Sequence, residues 1–198
     1  MKSVVKLRFK LSGIAEDKLD SWWETIFPRK IRNKDSWAYI LEYTLCKPRD
    51  ILQFLKCCQE ECGDKESLSF SDMQNSLKIY SRDYFIEEMK NEITGFIDDT
   101  LINALPSTLQ KLGTRSFYFP EFFSTIKKQI FNKDISEKDV KYLLSLLFEA
   151  GYMGQLFQNG RNGKESVIFK HRNTAAKIDF TQKFITHKGL YSGLGIVQ

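Results

Sequence analysis

Apolar positions recur with helical spacing through most of this 198-residue chain, and turn residues divide the pattern into segments. Residues 4–11 are the first exception. Val5, Leu7, Phe9 and Leu11 alternate with Lys6, Arg8 and Lys10, which predicts a half-buried or edge strand. Residues 14–26 then read as a helix carrying Leu19, Trp22, Trp23 and Ile26, ended by Phe27-Pro28. Arg29 to Lys34 reads as a basic, solvated connector. A helix is expected over 36–46 behind Asp35 as N-cap. A second, over 48–62, has Pro48 at its first position, where a missing N–H costs nothing, and Gly63 at its end.

The spacing continues through Leu77, Tyr80, Phe85 and Met89 to Leu101 and Leu105. Ser71 with Gln74 is the expected capping box, and Pro106 the expected stop. From Thr114 the texture changes. Phe117-Tyr118-Phe119 reads as a short strand and 120–131 as a helix. Ser136 with Asp139 caps another helix, with Val140, Leu143, Leu144, Leu147 and Phe148 on one face. Residues 152–157 and 166–170 flank an Asn-Gly turn and predict a β-hairpin. Phe180 to Thr186 adds a strand and Gly189 to Leu194 a final turn.

The expected fold is therefore mainly α, of α+β type. A helical lid-like bundle with a short N-terminal strand spans 1–112. A winged-helix domain with a β-hairpin wing spans 113–198, because strand, helices and hairpin follow in that order.

The corner between the second pair of helices carries a motif. Thr44-Leu45-Cys46-Lys47-Pro48-Arg49-Asp50-Ile51, followed by Phe54, resembles the post-core helical region of bacterial P-loop ATPases of the STAND and AAA+ kind, where "T-L-x-[RK]-P-R-D-[IL]-x-x-F" is typical. By that resemblance the motif opens a lid helix, and Arg49 corresponds to the arginine that faces the nucleotide. On the local pattern alone, the same residues read as an ordinary helical corner with a solvated Arg-Asp pair. The chain departs from that family by lacking the phosphate-binding loop G-x-x-x-x-G-K-[ST]. Gly189 to Gly195 is glycine-rich without the Lys-Ser/Thr ending. The module is then part of a larger ATPase, or stands alone beside a separate core.

Composition narrows the remaining chemistry. A net charge of +5 allows an anionic partner without requiring one. The absence of an 18-residue apolar run excludes a membrane-spanning helix, and the charged N-terminus predicts a cytoplasmic protein. Cys46, Cys57, Cys58 and Cys62 lack the C-x-x-C spacing of a zinc site and read as reduced, partly buried thiols. His171 and His187 fall in no catalytic motif. No catalytic residue, metal or cofactor is expected, and the chain by itself does not read as an enzyme.

Nucleic acid is the other partner class. Residues 158–188 hold seven cations, including Arg161, Lys164, Lys170 and Arg172, against Glu165 and Asp179. A basic wing tracks phosphates, and Arg161 at its tip suits a minor groove. The helix before it opposes that reading: Lys138 and Lys141 face Glu137, Asp139 and Glu149, an unsuitable balance for entering a major groove. A protein partner or ATPase core is the first expectation, with DNA through the wing as the alternative.

Overall fold

The computed structural model describes residues 2–11, 13, 15–18, 21–131, 134–158 and 165–196. They form two compact units, residues 1–80 and 81–198. The fold is mainly α with small antiparallel sheets, as the spacing predicts.

In the first unit, α1 spans Lys2–Leu11, where a strand was expected. The two periods overlap here: Val5 and Phe9 are both alternate residues and helical neighbours at i, i+4. Val5 is buried and the Phe9 ring lies 4.3 Å from Trp22, whereas Leu7 and Leu11 stay exposed. A single 3₁₀ turn at Glu16–Lys18 and the short α2, Trp22–Ile26, replace the expected longer helix; Leu19 lies outside the described residues. Trp23 organises the ring cluster, stacking on Phe27 at 4.0 Å and meeting Trp37 edge-on at 4.8 Å.

The basic connector is itself structured. β1, Lys30–Ile31, pairs antiparallel with β2, Lys34–Asp35, and Arg32 and Asn33 turn between them with φ of 48° and 65°. Successive positive φ values are what a tight hairpin turn needs. Asp35 caps α3, Ser36–Leu41, by accepting from the Ala38 N–H at 3.1 Å. α4 runs over Pro48–Cys62 with proline at its start, and Gly63 closes it with φ of 54°. α5, Phe70–Ile79, is capped by Ser69 and Asp72 rather than by Ser71 and Gln74. The register moves because Asp72 can return its carboxylate to the Ser69 N–H at 2.9 Å. A π-helical segment, Tyr80–Phe85, follows.

The second unit contains α6, Ile86–Ile93, and α7, Asp99–Leu112. Both were expected in the first region; they pack on α9 and α8 respectively. The long helical pattern breaks at Gly95, with φ of 83°, and Asp98 caps α7. Pro106, expected as a stop, sits inside α7. Its ring costs one backbone hydrogen bond, but buried Leu101, Ile102, Leu105 and Leu109 hold the helix on both sides of it.

β3, Ser116–Phe117, leads into α8, Phe119–Lys127. α9, Glu137–Ala150, carries the expected capping box, with the Ser136 hydroxyl accepting from the Asp139 N–H at 3.2 Å. Its predicted apolar face is at most 1% exposed, and Gly151 ends it in the left-handed region. β4, Met153–Gln158, pairs antiparallel with β5, Glu165–Phe169, from Gly154↔Phe169 to Gln158↔Glu165, as the two expected strand runs do, while the Asn-Gly turn between them lies outside the described residues. β6, Lys183–Thr186, enters between β3 and β4, so the sheet order is β3-β6-β4-β5. The short α10, Tyr191–Leu194, completes the unit.

Candidate functional site

The corner before α4 is built rather than loose. Lys47 is the N-cap residue but offers no side-chain cap. Asp50, one turn in, supplies the missing acceptor: its Oδ2 takes the Leu45 N–H at 2.9 Å. The carboxylate is 3% exposed, so it is a buried brace and not half of a solvated pair. Cys46 turns the chain with φ of 58°, and its N–H is taken by the Thr44 hydroxyl at 3.2 Å. Asp50 and Cys46 together aim the first turn of α4, and Arg49 projects from that turn into an exposed position.

Arg49 stands at one end of a groove of about 800 Å³, formed entirely within the first unit. The groove runs along α4 from Arg49 to Cys62 and Gly63, with Arg8 and Phe9 of α1 and Ile26 of α2 also lining it. The Leu68 N–H donates to the Ile26 carbonyl at 2.7 Å and fixes the loop that closes the far end. Phe9, Ile26, Leu52 and Leu55 line it while only half-buried, so apolar surface remains in contact with water. Arg8, Arg49, Lys56 and Lys65 line it as cations, against the single acid Glu66.

The electrostatics differ along its length. Lys65 is held by Asp72 at 2.7 Å, and that contact raises the lysine's pKa. Lys56 lies 3.6 Å from Glu60, with both side chains well exposed, a weak pairing. Cys58 lines the floor, and burial pushes its thiol up to about 12, so it stays protonated and unreactive. Cys57 and Cys62 are likewise buried, and among the described residues no three metal-ligating side chains converge.

The expected wing residues are placed differently. Arg161 and Lys164 lie outside the described residues. Lys170 donates to the Ala176 carbonyl at 2.8 Å and lies 3.5 Å from Glu149. The Arg172 Nε donates to His171 Nε2 at 3.3 Å. These two cations therefore have partners inside their own unit. Lys141 is similarly engaged, 2.6 Å from Glu137 and above the Phe119 ring. His187 is buried, and its Nδ1 accepts from the Gly189 N–H at 3.1 Å. Burial, then the nearby His171, Arg172 and Lys188, hold its pKa well below the usual imidazole value. The glycine-rich stretch from Gly189 is a packing device: a Cβ on Gly193 would come within 2.8 Å of both Ser81 Oγ and Ile86 Cδ1.

Sequence reasoning found Arg49 but missed Arg8, Lys56 and Lys65 as its neighbours. A usable signal existed within α4, where Arg49, Leu52, Lys56 and Gln59 share one helical face. Nothing in the pattern paired that face with α1.

A family model described as the FunZ-associated C-terminal helical domain matches residues 1–87. The matched segment contains the whole first unit, and with it the groove. The likeness is to an accessory C-terminal domain, in agreement with the expected C-terminal character. No curated protein and no solved structure gave a match. Among the described residues, no helix is long and apolar enough to cross a membrane.

Proposed function

We propose that the chain is a non-catalytic accessory module whose first unit docks a protein partner, and that this partner is a FunZ protein. The observation that carries the reading is the open, half-apolar groove beside Arg49, lying wholly within the segment that resembles the FunZ-associated domain. Apolar surface left in a groove and rimmed by charge marks an interaction site rather than a packing defect. The resemblance of the Lys47–Asp50 motif to STAND and AAA+ lids adds a role for Arg49, reporting the nucleotide state of a P-loop core carried by the partner. The order of β3, α8, α9 and the β4–β5 hairpin supports a winged-helix reading of the second unit, used for packing or docking. The module acts with soluble, cytoplasmic components.

The test mixes the full chain with a FunZ protein stripped of its own domain of this kind. Isothermal calorimetry is run with ATP, with ADP and without nucleotide. Saturable one-to-one binding that changes with nucleotide is expected. No heat of binding in any nucleotide state overturns the docking reading. The chain alone is expected to hydrolyse no ATP, and steady phosphate release by the pure chain would overturn the non-catalytic part.

A further inference from the structure

We infer that the outer face of α7 pairs antiparallel with the same face of a second copy of this chain. That face lies in the second unit, beyond the segment the family model matches, so it does not depend on the docking reading.

The surface itself comes first. α6, α8 and α10 pack against α7. On its remaining side Asp99, Thr100, Asn103, Gln110 and Lys111 are exposed and Ser107 is half-buried. A shallow recess of about 710 Å³ follows that side from Asp99 to Ser107, and the chain leaving α8 forms its other wall. Phe131 stands on this wall with 90% of its surface in water, more than any other large apolar side chain described. A bare ring beside a recess is a knob next to a hole. A patch that holds both can complement itself across a two-fold axis.

Charge selects the occupant. α7 carries one acid, Asp99 in its first turn, and one cation, Lys111 in its last. Among the described residues no ion pair engages either side chain. They stand twelve residues apart, roughly 18 Å along the helix axis. An antiparallel second copy in the matching register sets Asp99 against Lys111 of that copy, and Lys111 against its Asp99. The same register opposes Thr100 to Gln110 and Asn103 to Ser107, polar pairs able to share hydrogen bonds. The two helix dipoles then run in opposition. A parallel copy would place acid on acid and cation on cation. A partner of one charge sign would suit one end of the face and repel at the other. A second α7, turned round, meets both ends. The dipole of α7 alone accounts for an acid at its start and a cation at its end, but not for the open ring of Phe131 beside them.

A face one helix wide falls short of the roughly 800 Å² a side of a standard interface, so the dimer is weak and concentration-dependent. Sedimentation equilibrium of the full chain, from about 10 µM to about 1 mM, spans the range in which such a dimer titrates. A reversible monomer–dimer equilibrium is expected. Asp99→Lys and Lys111→Glu should each weaken it at least about tenfold, because each sets like charges together twice in a symmetric pair. The double variant, Asp99→Lys with Lys111→Glu, exchanges the charges and should restore the wild-type affinity. Phe131→Ser should weaken the dimer as well. All three residues are exposed, and an unchanged circular dichroism spectrum would verify that each variant keeps the fold.

A monomer at every concentration overturns the inference. So does a dimer that the single variants leave unchanged, since the chain would then associate through another face. Weakening in both single variants without recovery in the double overturns it too, because the antiparallel register requires recovery.

Discussion

The two units arrange their apolar side chains differently. In residues 81–198, α9 buries its whole apolar face, and the described cations Lys141 and Lys170 are drawn onto rings, acids and carbonyls of the same unit. In residues 1–80, four half-buried apolar side chains stand open in a groove, and α1 shows water a second apolar stripe beyond the one it packs. Both units leave large apolar side chains in water, Phe96 and Phe131 in the second, but in the first half-buried ones gather along a groove. Charge counted along the sequence does not separate the units, because Lys56 and Lys65 pair with Glu60 and Asp72 in the first as Lys141 and Lys170 pair with Glu137 and Glu149 in the second. What matters is which cations border unburied apolar surface.

The largest expected effect is in the second unit. Leu144→Ala removes a side chain with no exposure, and should cost about 3 kcal/mol in urea unfolding followed by circular dichroism. A loss below about 1 kcal/mol would mean that α9 is loosely packed and the contrast overdrawn.

In the first unit, Asp50→Ala strands the buried Leu45 N–H and should cost about 2 kcal/mol. Trp22, Trp23 and Trp37 are the chain's three tryptophans and all lie in this unit, so tryptophan emission reports it selectively. Asp50→Asn keeps an acceptor and should lose less. Equal losses would show that charge, not the hydrogen bond, holds the corner.

Acid sharpens the comparison further. His187 is held neutral by burial, with His171, Arg172 and Lys188 adding to the shift. The unfolded chain binds its proton near pH 6.5 and the folded chain does not, so stability is full above that value and declines as pH falls below it. His187→Asn keeps an acceptor for Gly189 and should flatten the decline between pH 6.5 and about 5. A wild-type profile flat over that range would contradict the burial argument.

The smallest effect belongs to the groove. Lys56→Ala should change stability by no more than about 0.5 kcal/mol, since its pairing with Glu60 is exposed. A larger loss by tryptophan-detected unfolding would make Lys56 part of the scaffold rather than of a docking surface.

Local chemistry made some of this legible in the sequence. Pro48 and Gly63 bracket α4, Asp35 caps α3, and Ser136 with Asp139 starts α9, because each device acts within a few residues. The β4–β5 pairing was expected from two strand runs flanking an Asn-Gly turn, the turn itself lying outside the described residues. Where two periods coincide, the pattern misleads: Val5 and Phe9 satisfy a strand and a helix alike, and Trp22 decides between them from thirteen residues away. Pro106 misled because its penalty is local, while the packing that outweighs it is not. The groove was illegible for the same reason. Arg49 could be singled out from its motif, but its neighbours Arg8 and Lys65 arrive from other elements.

The order of β6 in its sheet has a consequence for synthesis. β6 is the last strand along the chain, yet it sits between β3 and β4. The Ser81 hydroxyl bonds to the Gly189 carbonyl and accepts from the Gly193 N–H at 2.9 Å, contacts that span 108 and 112 residues. While a ribosome is still making residues 183–193, the second unit has neither its central strand nor the clasp at Ser81. The first unit's own contacts all lie within residues 1–80, which are made first. Such long-range closures are slow, so the groove-bearing unit is complete on the nascent chain well before the unit that follows it.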